Sequence, residues 1–232
     1  MRQSAQEVHA KAEHAREAGE FLEALRLSDE ALLAYQTEKN VLGIGDILAS
    51  RSITFRLLWE QTNDQTFLIL AKHEVMAGVE IARAGEKADV IMPLFRLGQV
   101  QDELGEFKDA VKSYSEAIEI FGVNPPKEHN RKGVLADMQV RLGVSQYRNG
   151  DKSALSKILE AIKDLEESDE KTVSKYNYDV WLSGAHMKVG EILKSDDPEE
   201  ARKHLKVAKE IIDGNSDLKL RKRQWEKLNA GF

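Results

Sequence analysis

The chain has no cysteine, which removes thiol nucleophiles, disulfides and thiolate metal sites together. Six histidines remain. His9 and His14 are five residues apart, about 140° around a helix, so they do not share a face as an i, i+4 metal pair does. His73, His129, His186 and His204 are scattered, with no acidic partner pattern around them. Surface or partly packed imidazoles are the expectation, with no metal or acid–base duty. The stretch LGIGDIL contains Gly43-x-Gly45, the start of a dinucleotide fingerprint. Leu48 stands where the third glycine belongs, and no β-strand pattern precedes it, so a turn between repeats is expected instead. Carboxylate clusters such as SDDPEE suit turns and helix starts, where acids face the positive end of the helix dipole. KLRKR, Lys219 to Arg223, is the one basic run. A nucleic-acid or membrane contact there competes with the solvated face of a terminal helix, and the latter is the simpler reading. Trp59, Trp181 and Trp225 are expected in the core. No enzyme and no cofactor is predicted from this inventory.

Composition agrees with that reading. Of 232 residues, 41% are hydrophobic and 32% charged, with 4 prolines and 15 glycines. The apolar fraction can bury a core, and the low proline content suits long helices. The 34 basic and 40 acidic side chains are intermixed and leave a net charge of −6, a field that does not attract polyphosphate. No run of about 18 apolar residues predicts a membrane span. The first residues lack the apolar segment of a secretory signal, and the missing cysteines fit a reducing compartment. A cytoplasmic location is the expectation.

The elements that position these residues emerge from a repeat. Phe107, Ala110, Val111, Tyr114, Ala117, Ile118 and Phe121 recur at steps of three and four, one face of a helix. The same face occurs 86 residues earlier as Phe21, Ala24, Leu25, Ser28, Ala31, Leu32 and Tyr35, and Gly-Glu precedes both copies. Three further copies share a small pair seven residues apart, giving Ala24/Ala31, Ala71/Gly78, Ala110/Ala117, Ala154/Ala161 and Ala201/Ala208. Residues seven apart lie two turns along one side of a helix, where small side chains let neighbouring helices approach closely. The leading residues step by 47, 39, 44 and 47, so the unit is about 44 long. Another helix precedes each of these. Leu94, Leu97, Gly98 and Leu104 come before a break at Gly105, and Leu142-Gly143 and Gly150 repeat that pattern.

FRLGQVQDELGEFKDAVKSYSEAIEIFG, Phe95 to Gly122, resembles a tetratricopeptide repeat (TPR). The family's landmarks fall on Leu97-Gly98, Gly105-Glu106-Phe107, Ala110, Tyr114 and Ala117. The first unit shows Lys11-Ala12 in place of Leu-Gly, and in the fifth Val189-Gly190 stands displaced. The long unit is similar to the extended repeats of LGN-type and kinesin-light-chain-type adaptors and of bacterial peptide-sensing regulators. The resemblance implies an all-α, right-handed superhelical solenoid of about five helix-turn-helix units over a single domain, 1–232. The units are placed at about 4–38, 45–84, 88–122, 131–167 and 173–213, with a capping helix at 216–229 and about eleven helices in all. Pro125-Pro126 interrupts helix between the third and fourth units. Ser4 with Glu7 and Asp197 with Pro198 read as helix starts.

In TPR-like arrays the first helix of each unit lines the concave side. The resemblance therefore implies a partner-binding groove at His9, Glu13, Arg51, Phe95, Gln99, Asp102, Val140, Val144 and Tyr147. This face is apolar and aromatic at its centre and polar toward the N-terminal end. The expected function is a non-enzymatic interaction module or adaptor that binds a peptide or partner protein. A peptide- or ligand-responsive sensor of the TPR type is the first alternative and a helical-repeat RNA binder the second, the acidity counting against nucleic acid. A homodimer is compatible with the sequence.

Overall fold

The computed structural model describes residues 3–125 and 130–232; Pro126 and His129 lie outside them. No strand occurs among the described residues. The chain divides into two compact units, Met1–Pro126 and Lys127–Phe232. The first holds α1 (Ala5–Glu17), α2 (Phe21–Thr37), α3 (Val41–Thr62), α4 (Thr66–Ala82), α5 (Ile91–Glu103) and α6 (Phe107–Val123), with a 3-10 turn at Lys87–Val90 before α5. The second holds α7 (Lys132–Arg148), α8 (Ala154–Glu166), the four-residue α9 (Glu170–Val173), α10 (Lys175–Leu193), α11 (Pro198–Asp213) and α12 (Lys219–Asn229). Twelve α-helices among the described residues, rather than eleven, reflect α9, which forms where the fourth and fifth expected units join.

Five antiparallel helix pairs follow from the repeat: α1/α2, α3/α4, α5/α6, α7/α8 and α10/α11. Ala24, Ala31, Ala71, Ala110, Ala117, Ala154, Ala201 and Ala208 have no exposed surface, and Gly78 and Ala161 are buried. The small pairs are thus the points where helices meet. A complementary device sits on the first helices. A Cβ built on Gly98 would lie 2.7 Å from the Tyr114 ring, one on Gly143 2.5 Å from Ile158, and one on Gly190 2.8 Å from Leu205. In each case a glycine makes the hollow that receives the large residue four positions after the leading alanine of the second helix. Val189-Gly190, taken as displaced from the sequence, therefore occupies the same structural place as its counterparts. The variable loops had hidden this.

Gly43 and Gly45 serve the same end. Their segment was expected to be a turn, but Asn40 caps a helix that already includes it, accepting a hydrogen bond from the Gly43 amide at 2.9 Å. A Cβ on Gly43 would fall 2.3 Å from the Tyr35 ring, and one on Gly78 would meet the Gly45 carbonyl at 3.2 Å. The partial dinucleotide motif is a packing motif. Gly105 ends the α5 connection at φ +78°, a conformation that residues with a Cβ disfavour.

The helix starts form as expected. The Ser4 hydroxyl accepts from the Glu7 amide, while Glu7 accepts from the Ser4 amide at 2.9 Å. The Asp197 carboxylate accepts from the Glu200 amide at 3.0 Å, and Pro198 opens α11. The terminal helix α12 packs on α10 and α11. Trp225 donates to the Leu205 carbonyl at 2.9 Å and Arg221 to the Val180 carbonyl at 3.1 Å. With Leu218 it covers Met187, Ala208 and Ile212.

Replacing Ala110 or Ala117 by Leu is expected to cost about 1–3 kcal/mol, since overpacking a close crossing forces strain. Denaturant unfolding measures this, and unchanged midpoints in both variants would remove these alanines from the packing argument. Truncation before Ser216 uncovers the Met187/Ile212 cluster and is expected to lower the melting temperature and promote aggregation, since terminal repeats need cover. A truncated chain that stays equally stable and monodisperse contradicts the capping role of α12.

Candidate functional site

In the first unit, α3 touches both α1 and α5, so the first helices form a layer of their own. Each is buried on one side by its own second helix, which leaves a narrow strip for solvent. That strip is polar. Arg16 of α1 donates to the Ser50 hydroxyl of α3 at 2.7 Å and to its carbonyl at 3.3 Å. Glu13 is exposed, 3.5 Å from Arg16. Arg56 of α3 reaches α5 and binds Glu103 through two nitrogens, Nε at 2.6 Å, and donates to Gln99 Oε1 at 2.8 Å. Gln99 Oε1 also accepts from Arg96 at 3.2 Å, and the Arg96 guanidinium stands 5.6 Å from the centre of the Phe95 ring. Arg96, Gln99 and Glu103 lie at i, i+3 and i+7, one stripe of α5. Arg56 joins that stripe to α3.

Electrostatics hold Arg56 in its charged form. Burial alone would lower the Arg56 pKa, but the Glu103 carboxylate outweighs it, and the guanidinium is held charged. Burial lowers the His9 pKa more than nearby Glu13 raises it. His9 Nδ1 is 3.3 Å from the Tyr35 hydroxyl, so its ring bridges α1 and α2.

The expected groove residues separate into three groups. His9, Glu13 and Gln99 belong to this layer, Gln99 as a buried bracket for two arginines. Arg51 does not. It is clamped between Asp29 of α2 and Glu74 of α4, the latter at 3.0 Å, and so lies at the seam between second helices. The others are core or buried positions, contrary to their expected exposure. Phe95 is buried with its ring 5.7 Å from Tyr114, and Asp102 is buried too. In the second unit, Val140 and Val144 have no exposed surface and share a core with Ile158 and Val189. Tyr147 is buried and donates its hydroxyl to Asp196, which also takes Lys152 at 2.5 Å. Burial raises the Tyr147 pKa, with the Asp196 bond adding to it. These aromatic and branched residues were expected to line a groove, and they fill the space between helices instead. Arg56, Arg96 and Glu103 were missed; the polar stripe at helical spacing on α5 was their signal.

The second unit repeats the polar theme on its own first helices. Arg148 of α7 pairs with Glu191 of α10 at 2.7 Å, and Arg141 pairs with Asp137 at 3.2 Å. Among the described residues, no cluster of three or more His, Asp or Glu side chains is arranged to hold a metal ion, and no helix is long and apolar enough to cross a membrane.

No protein-family model matches the sequence, and no curated protein matches it. Solved structures do. BtubC (BKLC) from P. vanneervenii is similar with a TM-score of 0.65 at 19% identity, covering 90% of this chain and 80% of that one. The TPR-like repeats of a putative kinesin light chain from Podosopora anserina match with a TM-score of 0.55 at 13% identity, over 93% of this chain and 100% of that one. A form of those repeats carrying a point substitution also scores 0.55, at 14% identity over 89% and 93%. The fold is an all-α, TPR-like helical repeat.

Removing one member of the Arg56–Glu103 pair leaves the other half-buried and unpaired. Glu103→Leu is expected to cost about 1–3 kcal/mol, and Arg56→Met/Glu103→Leu together clearly less than the sum of the single changes. A double-mutant cycle by urea unfolding checks this; additive losses would mean the pair is not coupled.

Proposed function

We propose that this chain is a non-enzymatic interaction module that takes a peptide segment or partner protein on the first-helix layer of its first unit. The observation that carries the reading is the polar ladder of Glu13, Arg16, Arg56, Arg96 and Glu103, prearranged on a TPR-like scaffold by ion pairs and by hydrogen bonds to Ser50 and Gln99. Guanidinium groups bracketed by a glutamine and carboxylates offer directional donors and acceptors at little ordering cost, because the side chains are already fixed. An extended peptide, with one donor and one acceptor per residue, matches such a surface. Phe95 contributes from below, as the buried ring on which Arg96 rests.

Partners captured by crosslinking from cell extract, then titrated individually, test this. Arg96→Ala and Glu13→Ala together are expected to weaken binding about tenfold or more, about 1.4 kcal/mol, with little loss of stability. The control is Lys112→Ala with Glu116→Ala on the exposed face of α6. Binding lost in the control and kept in the ladder variant would place recognition on the second helices and end the proposal.

A further inference from the structure

In the second unit, His186 of α10 and His204 of α11 meet nitrogen to nitrogen. Their Nδ1 atoms are 2.8 Å apart and the ring centroids 5.0 Å. The centroid separation exceeds the nitrogen separation by nearly the two ring radii, so both nitrogens lie close to the line joining the rings. That head-on approach is the geometry of an N–H···N hydrogen bond. Two imidazoles chelating one metal ion would aim their lone pairs at a point off that line.

Such a bond needs opposite tautomers, one Nδ1 with its proton and the other without. The far nitrogens decide which. His204 Nε2 is 3.8 Å from a Glu200 carboxylate oxygen, the natural place for an N–H. His204 is then bare at Nδ1 and accepts, and His186 donates from its own Nδ1. His186 Nε2 is left a bare base, buried and without a partner. One hydrogen bond thus joins the two rings, with the half-exposed Glu200 carboxylate as a charge neighbour at one end and a buried nitrogen at the other.

We propose that Glu200, His204 and His186 are an acid-released latch between α10 and α11. The first proton taken up puts a charge on a buried ring, and the second sets N–H against N–H. Either change opposes the helix contact. Beside the latch lie Met187, Ala208, Ile212 and Leu218, the apolar cluster that α11 and α12 cover, so release loosens the cover of this face. The charges that act on the pair are Glu200 and the rings themselves. Charged groups on the other packed helices are engaged elsewhere: Arg148 with Glu191, Glu170 of α9 with Arg131, Lys163 of α8 with Glu167, and Arg221 of α12 with the Val180 carbonyl. Lys203 of α11 is held by Glu199 and Glu200.

Burial pushes His186 down to about 4, with His204 adding to the effect, and burial lowers His204 as well. Both folded-state values lie below the unfolded value of about 6.5. The unfolded chain therefore binds more protons in between, and the latch's stabilisation, full above about pH 6.5, is lost as pH falls toward 4.

Hydrogen exchange on the full chain, corrected for its intrinsic pH dependence, tests the latch. From about pH 7.5 to about pH 5, protection of α11 and α12 is expected to fall about tenfold or more relative to α6, which packs no buried histidine. In His186→Phe/His204→Leu, which cannot titrate, that extra loss should disappear. Nitrogen-15 NMR of the unmodified chain should show the proton of His186 on Nδ1 and that of His204 on Nε2. Equal losses in both proteins, or both rings protonated on Nε2 at neutral pH, overturn the proposal. So does zinc alone raising the melting temperature of the unmodified chain but not of the double variant, since this would make the pair a chelate.

Discussion

Everything in this chain depends on how closely two helices can cross. Helix axes approach to the short end of their packing range only where the side chain between them ends at Cβ or earlier. The chain meets this condition with buried alanines on the second helices and glycines on the first. Gly98 receives Tyr114, Gly143 receives Ile158, and Gly190 receives Leu205. In these three hairpins the receiving glycine and the inserted side chain fix rotation and sliding together. Tyr35, four residues after the trailing Ala31, carries the device across the first joint, because its ring fills the hollow at Gly43 of the following hairpin.

This tight packing determines what the first helices can show. Most of their apolar residues are consumed by a second helix on one side and the next hairpin on the other. Val140, Val144 and Phe95 have next to no surface left to offer a partner. What reaches solvent in the first unit is a strip of arginines and carboxylates. In the proposed role, a surface of this kind would contribute less by burying apolar area than by matching donors to acceptors.

The fold was legible because its determinants are short-range and periodic. Five small pairs in register and a Gly-Glu before two of the best copies require no knowledge of loops. The strip was less legible, and for a physical reason. A first helix buried on two sides has apolar residues around most of its circumference, so periodicity does not say which apolar residue points outward. Phe95 and Tyr147 were placed outward on that basis and are inward. Arg51 and Arg56, five residues apart on one helix, separate to opposite seams. In α3, 22 residues long and apolar on most sides, no sequence rule ranks them. The His186–His204 contact, 18 residues apart across a hairpin, depends on the same register that variable loops obscured.

Polar contacts and apolar contacts divide the work between hairpins. Several of the longest-range hydrogen bonds span about one repeat: Arg16 to Ser50 by 34 residues, Lys72 to Glu106 by 34, Arg56 to Glu103 by 47 and Tyr147 to Asp196 by 49. Each joins one hairpin to the next. Exposed ion pairs contribute about 0–1 kcal/mol, so their worth as glue is small. Their directionality matters more. An apolar seam tolerates sliding by part of a turn, but a half-buried Arg56 that misses Glu103 and Gln99 leaves a charge without compensation, which disfavours the slipped arrangement. Register between hairpins is therefore chosen by groups that must stay near solvent to be tolerated at all. Of these groups, Arg16, Arg56 and Glu103 belong to the strip of the first-helix layer, so in the proposed role a partner that recognises their spacing recognises correctly stacked hairpins.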